Sequence, residues 1–230
     1  MNIEDNIRHV RERIAEAAGR SRRDPGSVRL MAVTKTVDDD RILAALRCGV
    51  EIIGENYVQE ARRKIEAMGR KAEWHLIGHL QTNKAKYAVH LFDMIHSLDR
   101  LELAVELDRR ARAAGRVIPV LIEVNVSGEA TKSGVPLDSA PDLIRAAAPM
   151  ANLSIRGLMT MPPWSDDPEE SRPYFRALRA LRDRIVAESI PGVEMRELSM
   201  GMTDDYAVAV EEGATIVRIG RGIFGERKTT

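Results

Sequence analysis

The sequence predicts an α/β fold in which eight strand–helix units close into one (β/α)8 TIM barrel, with an extra N-terminal helix ahead of the first strand. Three observations carry that prediction. Short apolar runs alternate with longer segments whose apolar residues recur every three or four positions. The runs are too continuous for half-exposed strands and match strands covered on both faces, as in parallel sheets. The repeat averages roughly thirty residues, the span of a right-handed βαβ step. Eight such units favour a closed barrel, with an open doubly wound sheet as the alternative.

The elements follow in order. Ile3, Ile7, Val10, Ile14 and Ala18 line one face of an opening amphipathic helix, which the Pro25-Gly26 pair ends. Residues 29–35 form the first apolar run, and Ile42, Leu43, Ala45 and Leu46 the face of the helix after it, closed by Gly49. Further runs lie at 50–54, 74–78, 94–98, 120–126, 155–161, 195–200 and 215–220. Helical segments separate them at 55–68, 81–87, 100–114, 139–148, 169–188 and 204–212, and a short last helix is expected near Ile223.

Composition narrows the function. The 230 residues suit one domain spanning 1–230, and no linker or low-complexity tract divides them. Thirty-five basic residues balance thirty-five acidic ones, so no net field recruits nucleic acid or an anionic membrane. No apolar run approaches the ~20 residues of a membrane span, and the first residues lack the pattern of a signal peptide. Cys48 is the only cysteine, which excludes an intrachain disulfide and a cysteine-based zinc cluster. A cytoplasmic protein without a metal site is expected.

In a barrel, chemistry gathers where strands run into their following loops. Lys35 ends the first apolar run between Thr34 and Thr36. Poor solvation there lowers a lysine pKa, as a Schiff-base amine requires; the alternative is a lysine reaching past the strand end to solvent. Two glycine-bearing junctions could hold a phosphate. One is Ser199-Met200-Gly201-Met202-Thr203-Asp204-Asp205, with Thr203 as the expected helix cap; the other is Arg218-Ile219-Gly220-Arg221-Gly222. They follow the seventh and eighth strands, where barrels commonly bind phosphate, although each taken singly is an ordinary tight turn. Strand alternation puts Arg218 on the side of Gly220, and an inward arginine must find a charge or an acceptor. Arg221 reads equally as a solvated loop residue. His75 lies within an apolar strand and reads as a satisfied core residue, and the histidine spacing fits no metal.

Several segments together resemble the pyridoxal phosphate homeostasis proteins, which bind pyridoxal 5′-phosphate (PLP). They are Ala32-Val33-Thr34-Lys35, Gly54-Glu55-Asn56-Tyr57-Val58-Gln59-Glu60 and Trp74-His75-Leu76-Ile77-Gly78-His79-Leu80-Gln81-Thr82-Asn83-Lys84. Val124-Asn125-Val126-Ser127, Lys132-Ser133-Gly134, Arg156-Gly157-Leu158-Met159, Leu198-Ser199-Met200-Gly201-Met202 and Val217-Arg218-Ile219-Gly220 continue the match in the same order. The resemblance implies a fold-type III barrel like the N-terminal domain of alanine racemase, with PLP as an internal aldimine on Lys35. It implies Arg218 at the pyridine nitrogen, Asn56 beside the cofactor, and Ser199 with the backbone at Gly201, Gly220 and Arg221 around the phosphate. Many relatives carry proline where His79 stands and threonine where Arg221 stands, which puts the part played by Arg221 in doubt.

The resemblance further implies a non-catalytic protein of vitamin B6 homeostasis and of amino-acid and keto-acid balance. PLP-dependent apoenzymes are the implied recipients of the cofactor, and a monomer is expected because no dimerisation element is evident. An arginine at the ring nitrogen leaves that nitrogen unprotonated and the ring a poor electron sink. Tyr57 and Tyr206 are the candidates for a second acid–base group, and both fall in expected helices. The alternative is a PLP-dependent racemase or decarboxylase of narrow specificity. A third reading is a barrel without cofactor whose Lys35 attacks a carbonyl substrate.

Overall fold

A computed structural model describes residues 2–129 and 132–226. The strands are β1 (Arg29–Val33), β2 (Ile52–Glu55), β3 (Glu73–Leu76), β4 (Met94–Leu98), β5 (Ile118–Asn125), β6 (Val135–Pro136), β7 (Leu153–Met159), β8 (Val193–Ser199) and β9 (Ile216–Ile219). All pairings are parallel, in the order β4-β3-β2-β1-β9-β8-β7-β5, and a β4–β5 pairing closes the ring. Eight strands therefore make the expected barrel. The two-residue β6, which sequence periodicity did not anticipate, adds to the C-terminal end of β5.

The helices are α1 (Ile3–Arg20), α2 (Asp39–Arg47), α3 (Val58–Met68), α4 (Ala85–Leu91), α5 (Leu101–Ala113), α6 (Ala140–Ala147), α7 (Arg172–Glu188), α8 (Tyr206–Glu211) and α9 (Arg221–Phe224). α1 begins at Asn2, whose side chain accepts from the Asp5 amide at 2.8 Å. Its buried stripe of Ile7, Val10, Ile14, Ala17 and Ala18 packs on α2, α8 and α9, so the extra helix covers the seam between the last and first units. No helix among the described residues is long and apolar enough to cross a membrane.

Alternation along the strands divides the core. Ala32, Ile53, Trp74, Leu76, Ile95 and Val217 face outward against the helices in one large cluster. Inside the barrel the apolar residues form two small clusters, Met31–Val33–Ile52–Ile77–Ile216 and Met94–Leu121–Met159. The rest of the interior is polar, and that division sets up the site.

Some element ends differ from the sequence reading. β1 stops at Val33, so Lys35 lies two residues beyond the strand, in a turn. The segment read as a helix from residue 55 begins at Val58, because Glu55 completes β2. The segment read from residue 204 becomes helical only at Tyr206, and Asp205 rather than Thr203 is its cap residue. The Asp205 carboxylate accepts from the Met202 amide at 2.7 Å and from the Ser171 hydroxyl at 3.1 Å, which holds residues 202–205 in a turn.

At Gly157 the register of β7 slips against β5 and β8. A Cβ there would stand 1.9 Å from the Glu197 carbonyl oxygen, and both atoms belong to the sheet. Gly157→Ala is expected to destabilise the protein by about 1–3 kcal/mol or more. Gly19→Ala in α1, where a Cβ meets nothing within 4 Å, is expected to stabilise by about 0.5–1 kcal/mol. Urea unfolding midpoints of the two variants check the contrast.

Candidate functional site

The C-terminal mouth of the barrel begins at the turn after β1. Met31, Val33 and Lys35 share a spacing of two, and Lys35 is half-buried at the rim. The residues on either side of it are tied down. The Thr34 amide donates to the Gly54 carbonyl at 3.0 Å. Thr36 takes a left-handed backbone with φ of 62° and donates its amide to Glu60 Oε1 at 2.7 Å.

A buried lysine organises this turn. Lys64 of α3 donates from Nζ to the Thr34 carbonyl at 2.6 Å, to Glu55 Oε1 at 2.7 Å and to Glu60 Oε1 at 2.7 Å. Lys64 and Glu55 are both fully buried, and the Thr34 hydroxyl also donates to Glu55. Burial holds the Glu55 carboxyl above its ordinary value against the opposing pull of Lys64. Sequence reasoning passed over Lys64. The available signal was its spacing, three residues after Ala61 and four before Met68, on the buried face of α3.

On β9, the strand that pairs with β1, Arg218 lies buried. It donates through Nη1 to the Ser199 carbonyl at 2.6 Å and hydroxyl at 2.8 Å, and through Nη2 to the Thr160 carbonyl at 2.8 Å. Burial lowers its pKa to about 10, so the guanidinium stays charged at neutral pH. A guanidinium has five N–H donors. Three hydrogen bonds account for three of them among the described residues, and two remain.

The Ser199 hydroxyl also meets His96 Nδ1 at 3.0 Å. Its position is therefore inside the barrel, between Arg218 and His96. The sequence missed His96 because an isolated histidine in an apolar strand carries no pattern.

Glu123 on β5 is buried, and its Oε2 has no hydrogen-bond partner among the described residues. Burial, then repulsion from Asp99, raises its pKa to about 7, while Arg218 opposes the rise. Between pH 4.5 and 7 the folded state thus holds a proton that the unfolded state has lost, and stability falls as pH rises through that window. Glu123→Gln is expected to remove at most about 3 kcal/mol of this decline. Urea midpoints at pH 5 and pH 8 for both proteins measure the difference.

The two glycine junctions come together beside β1. A Cβ at Gly220 would meet only Val33, at an ordinary 3.6 Å, which places this glycine against the strand that leads to Lys35. Gly201, with φ of +92°, lies so close to α8 that a Cβ would approach Ala209 Cβ to 2.6 Å. Thr203 Oγ1 accepts from the Gly222 amide at 3.2 Å and so links the two loops. The Arg221 guanidinium is held by Asp204 at 2.6 Å. Its side chain is engaged at the surface, leaving the backbone of this junction as the part that adjoins the mouth.

Asn56 follows β2 and lines a cleft of about 360 Å³ with His79, Gln81 and Lys84. Gly78 is required there, since a Cβ would stand 2.3 Å from the Asn56 carbonyl oxygen. Neither tyrosine named as an acid–base candidate is set for that task. Tyr57 caps α3 and is 63% exposed, whereas Tyr206 is buried beneath Arg13.

The family model for the N-terminal domain of alanine racemase matches residues 2–228. The pyridoxal phosphate homeostasis protein of Aquifex aeolicus is 47% identical over 229 residues, covering 99% of this chain and 100% of that protein. PipY of Synechococcus elongatus, solved with PLP bound, matches with a TM-score of 0.80 at 35% identity, covering 92% of this chain and 100% of that one. An alanine racemase of Corynebacterium glutamicum matches with a TM-score of 0.74 at 17% identity, covering 99% of this chain and 64% of the enzyme. That last likeness concerns the fold.

Proposed function

We infer, from the fact that this chain belongs to the pyridoxal phosphate homeostasis protein family, that it holds PLP on Lys35 and serves vitamin B6 balance without catalytic turnover. The observation that carries the reading is the pairing of two groups on adjacent strands. Lys35 follows β1, and β9, which pairs with β1, carries the buried Arg218 with two N–H groups left to donate. A pyridine nitrogen is an acceptor, so it suits those donors.

The other residues fit the same ligand. Gly220 stands against Val33, the Arg221 main chain follows it, and the Gly201 loop is tied to the same junction through Thr203 and Gly222, so an anion there would meet backbone amides. Ser199 supports Arg218 by accepting its hydrogen bonds at the carbonyl and the hydroxyl. Asn56 borders the mouth from β2. Bound PLP supplies an aldehyde that captures a primary amine and a ring that can draw electrons from it. Arg218 stays protonated and hydrogen-bonded, so it supplies the ring nitrogen with a hydrogen bond and no transferable proton. That arrangement favours holding the cofactor over driving carbanion chemistry.

Residues 1–230 act as one PLP-binding unit in the cytoplasm, as a monomer, and PLP-dependent apoenzymes receive the cofactor. The test of the central reading is the absorption spectrum of PLP-saturated protein before and after borohydride reduction, followed by peptide mapping. A label found on the peptide containing Lys35 supports the reading. A label fixed on any other lysine overturns it.

A further inference from the structure

A file of polar side chains runs through the barrel interior, between its two apolar clusters. At the N-terminal mouth, Glu73 opens β3 with its side chain 48% exposed. Arg29 at the start of β1 donates to Glu73 Oε1 at 2.7 Å. His75 Nε2 lies 3.3 Å from Glu73 Oε2, and His75 Nδ1 lies 3.0 Å from His96 Nε2. His96 Nδ1 then meets the Ser199 hydroxyl at 3.0 Å, and Ser199 accepts from Arg218 at 2.8 Å. Both histidines and Ser199 are buried.

With one proton on each imidazole, the Glu73 end sets the direction of every proton in the file. A carboxylate only accepts and a guanidinium only donates. Glu73 therefore requires a proton on His75 Nε2. Arg218 takes one lone pair of the Ser199 oxygen, and the serine proton remains available to be donated onward. With one proton on each imidazole, the file is consistent in one way. Arg218 donates to Ser199, Ser199 to His96 Nδ1, His96 Nε2–H to His75 Nδ1, and His75 Nε2–H to Glu73. Burial, with the neighbouring His75 on β3, Arg218 on β9 and Arg29 on β1, disfavours a second proton on His96. Glu123, on the adjoining β5, adds no partner to the file.

We propose that Glu73, His75, His96 and Ser199 are positioning residues for the cofactor site, a directional hydrogen-bonded chain that holds Arg218 from the opposite mouth of the barrel. This rests on the PLP-binding reading above. The chain keeps the Ser199 oxygen as an acceptor toward Arg218 and so fixes which guanidinium N–H groups remain for a ligand. Lock of the arginine is thereby shared between the two mouths rather than supplied at the site itself.

Nitrogen-15 spectra of histidine-labelled full-length protein without PLP test the chain, with His75→Gln and His96→Gln for assignment. Both imidazoles are expected to carry their proton on Nε2 at pH 7, and His96 is expected to resist a second proton to a pH below that of an ordinary histidine. A His96 proton on Nδ1 would falsify the direction of the chain. PLP binding tests its purpose. Glu73→Leu is expected to weaken PLP about two- to tenfold and to move the pH profile of the bound chromophore. Glu73→Gln, whose carbonyl oxygen still accepts from His75, is expected to bind PLP as the parent does. Arg29→Ala, which removes the ion pair and keeps the His75 contact, is expected to do the same. Equal affinity and equal pH profiles for Glu73→Leu and the parent would overturn the positioning role. If the parent protein itself takes up no PLP, the cofactor reading fails and the positioning role with it, while the tautomer result stands separately.

Discussion

Replacing Lys35 with alanine is expected to abolish the borohydride-fixed PLP label and the chromophore that survives gel filtration. Lys35 lies at the rim two residues after Val33, which packs against Gly220, and β1 pairs with the β9 strand that bears Arg218. The other lysine near this turn, Lys64, is buried and fully occupied by Thr34, Glu55 and Glu60. An ammonium with three acceptors has no lone pair for a carbonyl, so Lys64 cannot substitute for Lys35. The Lys35→Ala protein should keep its unfolding free energy within about 1 kcal/mol of the parent, because the substitution is at a half-buried rim position. Its circular dichroism and urea profile serve as the folding control. A label that persists in this variant at parent stoichiometry would place the covalent site elsewhere.

Lys64→Met should be the most destabilising of the proposed substitutions, by about 3–5 kcal/mol at pH 7. The reason is the partner left behind. Glu55 is fully buried, and without Lys64 its charge would have only the Thr34 hydroxyl to satisfy it. Glu55 already sits above its ordinary pKa through burial, and loss of the ammonium raises it further. The folded variant then binds a proton that the unfolded chain releases near the ordinary carboxylate pKa, so its stability declines as pH rises above that value. Urea unfolding at pH 5 and pH 8 should show a steeper decline than in the parent. Lys64→Met combined with Glu55→Gln should recover most of the loss, since removing both charges is commonly close to neutral. The single variant should also capture PLP less well, because the Thr34 carbonyl loses its donor beside Lys35. A single-variant loss below 1 kcal/mol would show that the pair is relaxed by water or by rearrangement.

Much of this was legible in the residues. Continuous apolar runs at a regular spacing identify strands buried on both faces, and eight of them close into the observed ring. Alternation put Arg218 on the side of Gly220, and the nearness of the two glycine junctions followed from their adjacent strands. Helix starts were less legible. Asp205 delays α8 through contacts with Met202 and Ser171, and Ser171 is distant in sequence. The same limit applied to the polar interior. Nothing local separates His96 from a packed core histidine, because its partners arrive from β3 and β8.

Lys35 shows where the two sources of information divide. Its residue type, its place after the first apolar run and the chain-long resemblance are properties of the sequence by itself, and they pointed to PLP. The tertiary structure decided how that lysine is presented: a left-handed Thr36 whose amide Glu60 holds, and a Thr34 carbonyl held by Lys64, which sequence reasoning passed over. It also joined Ser199 by hydrogen bonds to Arg218 and to His96. The physical reason is common to both. Periodicity records which face of an element is buried, but a buried polar group is defined by the partner it finds. That partner is supplied by whichever strand or helix closure of the barrel brings alongside.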